Sequence, residues 1–291
     1  MSQKNTDEEN RELCELAYQD LGDLLKSQAL AKPSVGNTTV TFTTTNEPGN
    51  LQLPAGYDAL DGMMLLDIYE DESSGLYLYV VAKNDGKDIS VICRGSEPPN
   101  ENLDENGVDT DWVKSDVHKV DQAETPQMKA LKAYLASQEF ATIVDGTESI
   151  TLAGHSLGAD IAITGGMYLI TQTVYGDKVE GIYAIDCPGA SQDYLDAHMS
   201  QIRQCADRIH IYRYSGVGEI LYDYPGVDYH RLKVKRTGGI IYQLFESHSL
   251  SEIRMNGDDF VFDTTAPSRA LVIFGEMTRK VDELPVELVA P

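Results

Sequence analysis

The β-type run Ser149-Ile150-Thr151-Leu152-Ala153 breaks off at Gly154-His155-Ser156-Leu157-Gly158, and a helical pattern begins at once behind it. A strand that turns into a helix with no loop between them needs small residues at the bend, and glycine on both sides of Ser156 supplies them. Such a bend lifts the serine hydroxyl out of a sheet into open space. The unpaired N–H groups and the dipole of the following helix then favour negative charge beside it. Leu157, Ile161, Met167, Ile170 and Val174 recur at helical spacing, so this helix is expected to lay an apolar face under the sheet.

Length and charge limit what surrounds the bend. A chain of 291 residues buries one sizeable core, and residues 1–282 read as a single domain with a linker-like tail over residues 283–291. With 47 acidic against 23 basic residues the formal charge is −24, which excludes nucleic acid or an anionic membrane as an electrostatic partner. Cys14, Cys93, Cys187 and Cys205 are far apart with no paired spacing, so no disulfide framework and no structural metal are expected. Residues 1–10 are polar and no stretch is apolar for long enough to cross a bilayer. The expectation is a cytoplasmic protein, or one exported without a cleaved Sec leader.

Strands and helices alternate around the bend. An amphipathic helix is expected over residues 5–29, and extended structure over the Thr-rich residues 37–45, followed by a loop over residues 46–56. Residues 76–81 and 89–93 form β-type runs joined through Asn84-Asp85-Gly86, a hairpin signal. Thr125-Pro126 reads as a helix start, residues 179–185 and 208–213 as core strands, and residues 191–202 and 268–281 as helices. Residues 229–235 and 240–245 flank Arg236-Thr237-Gly238-Gly239 and suggest a protruding β-hairpin. The pattern predicts an α/β fold: a mostly parallel central sheet with helices on both faces.

A serine hydroxyl is a weak nucleophile near neutrality, so Ser156 needs a basic partner, itself oriented by an acid. In sheets of this kind the partners follow the serine in the order acid, then histidine, which sets aside His118 and His155. His198 sits in a helical pattern, His210 inside a strand, and His230 at the start of an exposed run. That leaves His248, in Glu246-Ser247-His248-Ser249-Leu250, where a loop can return over the bend. Two carboxylates compete for the third place. Asp186 closes the strand at residues 179–185, at the sheet edge where open α/β sheets carry their sites, and ranks first. Glu219, in the loop after the next strand, is the alternative. A developing oxyanion needs two donors. The N–H of Leu157 is one, and Ser96, following Arg94-Gly95 at a strand end, is the expected second. No cofactor and no catalytic metal are required.

The strand at residues 89–93 with Arg94-Gly95-Ser96, then Asp111-Trp112, then Thr151 through Ala159 including Gly154-His155-Ser156-Leu157-Gly158, is similar to the class 3 (fungal-type) lipase family. The likeness runs in order over roughly residues 17–250. It implies an α/β-hydrolase fold and hydrolysis of carboxylic esters of lipids by lipase or phospholipase A1 chemistry. It further implies Ser156 as nucleophile and Ser96 with Leu157 as oxyanion hole, and it supports His248, since the family histidine comes late. The partner expected is an acyl lipid or ester substrate, with transient contact at a lipid interface. The departures are informative. Where these lipases carry Asp-Pro-Val-Pro, this chain has Ser215-Gly216-Val217-Gly218, which moves the search for the acid to Asp186. Asp186-Cys187-Pro188-Gly189 resembles the corresponding turn of pancreatic-type lipases and an Asp-Gly-Pro-Gly turn in uncharacterised bacterial relatives of class 3 lipases. The family lid lies between its Arg-Gly-Thr and Asp-Trp motifs, yet residues 97–110 here are acidic and almost without apolar side chains. The Tyr-rich residues 221–229 with the neighbouring hairpin are a substitute cover. A lipase-like interaction module that lacks turnover is the competing reading.

Overall fold

The computed structural model describes residues 5–35, 38–95, 124–236, 238–244 and 246–282. The expected positions Ser96, Asp111 and Trp112, the acidic residues 97–110 and the tail 283–291 lie outside the described residues.

Nine strands form one sheet: β1 (Val40–Thr43), β2 (Leu51–Gln52), β3 (Met64–Asp71), β4 (Leu76–Lys83), β5 (Asp88–Cys93), β6 (Ser149–His155), β7 (Val179–Ile185), β8 (Ile209–Arg213) and β9 (Tyr229–Arg231). Their spatial order is β2-β1-β3-β4-β5-β6-β7-β8-β9. From β5 to β9 every neighbouring pair is parallel, whereas β1, β3, β4 and β5 join antiparallel. The β4–β5 hairpin turns where the sequence places it, with Asn84, Asp85 and Gly86 at φ of +53°, +54° and +85°.

Helices cover both faces: α1 (Asp7–Leu16), α2 (Leu21–Ser27), α3 (Pro126–Leu135), α4 (Gln138–Ile143), α5 (Leu157–Gln172), α6 (Gln192–Cys205), α7 (Ile240–Leu244) and α8 (Arg269–Asp282). The two-residue period of the strands divides the core into two layers. On β4, Leu76, Leu78, Val80 and Ala82 pack toward α3 and α5, whereas Tyr77, Tyr79 and Val81 pack toward Leu13 and Leu16 of α1. Among the described residues no helix is long and apolar enough to cross a membrane. This mixed, mostly parallel sheet between helical layers is an α/β-hydrolase fold.

Three local expectations are corrected. The single helix over residues 5–29 is two helices. Thr6 opens α1 through a reciprocal capping box with Glu9, and Asp20 caps α2 by accepting from the Asp23 N–H at 2.8 Å. The break turns Tyr18 toward the sheet. Next, α5 is not amphipathic: Gly158 through Met167 are all buried, while Val174 lies beyond the helix end and is 89% exposed. The helix is sandwiched, and it comes this close because Gly165 and Gly166 have no side chains; a Cβ at Gly166 would stand 2.2 Å from Ile182. Last, the β-hairpin forms from other residues. β9 pairs with β8 at the sheet edge, and Ile240 to Leu244 coil into α7 instead of pairing with it. The hairpin that does form joins β10 (Met255–Asn256) to β11 (Asp259–Phe260) through Gly257 at φ +63°.

Candidate active site

Strands β5 to β8 deliver the site at their carboxyl ends. Ser156, between β6 and α5, takes φ +58° and ψ −132°, dihedrals an L-residue adopts only when its surroundings compel them. The surroundings do compel them. A Cβ on Gly154 would stand 2.1 Å from the Gly158 carbonyl oxygen, and one on Gly158 would stand 2.3 Å from that of Cys93. The bend is clamped between its own helix and the end of β5, and the Ser156 N–H is further held by Ile185 O of β7 at 3.0 Å. Leu157 opens α5, so its N–H has no acceptor within the helix. Gly95, the residue before Ser96, packs directly on this bend, its Cβ position 2.6 Å from His155 O and 3.3 Å from the Gly158 N.

One strand further on, Asp186 also follows a strand at positive φ, +48°, and is 0% exposed. Its Oδ1 accepts the N–H groups of Tyr214 at 3.0 Å and Ser215 at 3.2 Å, and its Oδ2 accepts the Ser215 hydroxyl and His248 Nδ1, the latter at 2.7 Å. Burial alone would raise this carboxyl, but the hydrogen bond and charge of His248, with Ser215 and Tyr214, bring it below the ordinary aspartate value. Because Nδ1 donates to Asp186, His248 Nε2 is left with its lone pair.

The loop bearing His248 is fastened to the bend. The His155 and His248 rings stack at 4.4 Å, Tyr214 donates to the His248 carbonyl at 2.7 Å, and His155 Nε2 meets the same carbonyl at 3.0 Å. A carbonyl only accepts, so His155 carries its proton on Nε2, and its Nδ1 accepts from the Tyr18 hydroxyl at 2.9 Å. Burial, with the neighbouring His248, lowers His155 to about 3 and keeps this ring uncharged. Ligand-type atoms of His155, Asp186 and His248 lie within 4.8 Å of one another. Yet His155 Nε2 is committed to a carbonyl and Asp186 Oδ2 to two donors, so these atoms are already engaged within the protein.

Of the sequence candidates, Ser156, Leu157, Asp186 and His248 converge at this edge of the sheet. Glu219 does not. Its carboxylate pairs with the half-buried Arg231 and, at 3.6 Å, with the buried Arg213, and it is not a partner for His248. Of the histidines set aside, His155 lies in the site, His198 packs against Tyr194, His210 against Tyr183 and His230 is on the edge strand β9, while His118 is outside the described residues. Sequence reasoning missed Tyr18, Tyr214 and Ser215. A signal existed for the last two. Tyr214 continues the face of Tyr212 by the two-residue period, and Ser215 occupies the place where the family acid is absent. Nothing in the sequence pointed to Tyr18.

A family model described as Mbeg1-like matches residues 112–287, more than half of the chain. The chain belongs to the Mbeg1-like family. No curated protein matches this Mbeg1-like chain. Among solved structures, a fungal lipase crystal structure is similar at 11% identity and a TM-score of 0.50, covering 96% of each chain. A Rhizomucor miehei lipase propeptide complex aligns at 11% identity and a TM-score of 0.45, covering 77% of this chain and 66% of that one. A Penicillium expansum triacylglycerol lipase aligns at 15% identity and a TM-score of 0.37, covering 77% and 76%. At such identities the likeness concerns the fold.

Proposed function

We propose that the chain is a serine carboxylic-ester hydrolase acting on acyl lipids, of lipase or phospholipase A1 type. One observation carries the reading: a positive-φ serine at a strand-to-helix bend whose neighbour, His155, stacks on a histidine that donates to a buried carboxylate at 2.7 Å. Ser156 Oγ attacks the ester carbonyl while His248 Nε2 takes its proton; the tetrahedral oxyanion is met by the Leu157 N–H, with Ser96 as second donor. His248 returns the proton to the departing alcohol, leaving an acyl-enzyme. Water, deprotonated by the same nitrogen, then releases the carboxylic acid and restores the serine. Asp186 holds the imidazole in the required tautomer and stabilises its cation. The substrate is delivered by transient contact with a lipid interface.

A fluorophosphonate probe tests this. Labelling of the wild type and not of Ser156→Ala supports it. One observation favours the second reading, a lipase-like interaction module: among the described residues Ser156 Oγ makes no hydrogen bond. Such contacts are often loose before substrate binds. An intact fold that takes no label would establish the module.

A further inference from the structure

Beside the bend lies a pocket that the proton-transfer groups do not use. Leu157, Asp160 and Ile161 of α5 form one wall, Gly189 and Ala190 behind Asp186 another, and Tyr194 and Tyr224 close it. Positions 157, 160 and 161 are i, i+3 and i+4, one face of the helix, so the group nearest the oxyanion donor and the pocket wall share a surface. Thr125, Gln127 and Ser191 add polar groups at its margin, and Asp160, 4% exposed, is the one carboxyl in the lining.

A carboxyl so deeply placed should have all its lone pairs engaged. Asp160 Oδ1 does, accepting from the Cys187 thiol and the Tyr224 hydroxyl, each at 2.9 Å. Oδ2 has no partner. The tyrosine hydroxyls are engaged, Tyr194 with Thr164 at 2.7 Å and Tyr224 with Asp160 itself, while Thr125 and Ser191 accept the N–H groups of Met128 and Tyr194. An apolar acyl tail offers such an oxygen no donor and leaves it unpaired. A hydroxyl is the complement, since it can donate to a carboxylate or accept from a carboxylic acid. Burial pushes Asp160 up to about 7, only partly offset by Cys187 and Tyr224, so near neutrality both forms are present.

We infer that the pocket formed by Leu157, Asp160, Ile161 and Tyr224 is a substrate subsite that selects esters bearing a free hydroxyl group, which hydrogen-bonds to Asp160 Oδ2. The inference rests on the ester-hydrolase reading and names its substrate class. The hydroxyl comes from the acyl chain or from the alcohol, and two arms separate these. In one, p-nitrophenyl ω-hydroxyhexanoate is compared with p-nitrophenyl hexanoate; in the other, hexanoyl monoglyceride with methyl hexanoate.

The wild type is expected to favour the hydroxylated member by at least about tenfold in kcat/KM in one arm, and Asp160→Ala to bring that ratio to about one. Asp160→Asn, which retains a polar group of the same shape, is expected to keep the preference. A ratio within about twofold in both arms of the wild type, or one that survives in Asp160→Ala, overturns the inference. Binding gives an independent readout in case Asp160→Ala does not fold or no ester is turned over. Calorimetry on Ser156→Ala should show hexyl glyceryl ether or 6-hydroxyhexyl methyl ether binding at least about tenfold tighter than hexyl methyl ether. Equal affinity of all three ethers overturns the subsite, whereas absence of turnover with that difference intact overturns only the hydrolase reading.

Discussion

Asp186 and Asp160 are both buried carboxylates near the same bend, 0% and 4% exposed, yet their environments push them in opposite directions. Asp186 follows a strand and receives four donors, three from Tyr214 and Ser215 just after β8 and one from His248, and it stays ionised. Asp160 sits on a helix with two donors on one oxygen and none on the other, and it is raised to about 7. Burial is common to both; the number of hydrogen bonds delivered decides which stays charged. The strand end offers two consecutive backbone N–H groups to one Asp186 oxygen, whereas Asp160, in the first turn of α5, receives only the side-chain donors of Cys187 and Tyr224 among the described residues.

The largest expected effect separates the two by substitution. Asp186→Asn should lower kcat by about 10³–10⁴-fold with little change in melting temperature, whereas Asp160→Asn should cost at least two orders of magnitude less. Comparable losses from both, read in steady-state ester hydrolysis, would break the distinction. Ser215→Ala comes next. It removes a charge-assisted hydrogen bond from Asp186, and a loss of about tenfold in kcat is expected, with the acidic limb of the pH profile moved upward.

Stability against pH should show the two carboxyls with opposite signs. Asp186 is lowered in the folded state, so its contribution is present above the ordinary carboxyl value of 3.8 and is lost as pH falls through the lower folded value. Asp160 is raised, so the folded state holds a proton that the unfolded chain has released, and stability declines as pH rises from 3.8 to about 7. Thermal melts of Asp160→Asn should therefore lose less between pH 5 and pH 8 than the wild type, by about 2 °C or more. A parallel decline in both proteins would show that Asp160 does not titrate in that window. The smallest effect sharpens the comparison with a third carboxylate. Glu219→Gln should change kcat by less than about threefold while lowering the melting temperature, because it leaves Arg213, a largely buried cation, with Asp223 as its remaining acidic partner.

How much of this was legible in the sequence follows from which interactions are local. The bend, the β4–β5 turn and the capped starts of α3 and α6 are encoded within a few residues, and each stands where the pattern places it. Asp186 and His248 were readable through topology, since each sits just past an element whose end faces the same edge. Glu219 could not be discarded from sequence, because the arginines that claim it, Arg213 and Arg231, become its neighbours only when β9 docks beside β8. The hairpin was misplaced because Ile240 to Leu244 satisfy both an extended and a helical pattern, and only packing against the rest of the chain decides between them.

The attachment of α1 has a consequence for assembly. The Glu8 N–H donates to Asp258 O, Asp7 accepts from the Phe260 N–H at 2.9 Å across a separation of 253 residues, and Tyr18 just behind supports His155. During synthesis these contacts cannot close until the residues near 260 have left the ribosome, by which time His248 has also emerged. On the proposed function, activity at Ser156 therefore waits until residues 7 through 260 have emerged and paired.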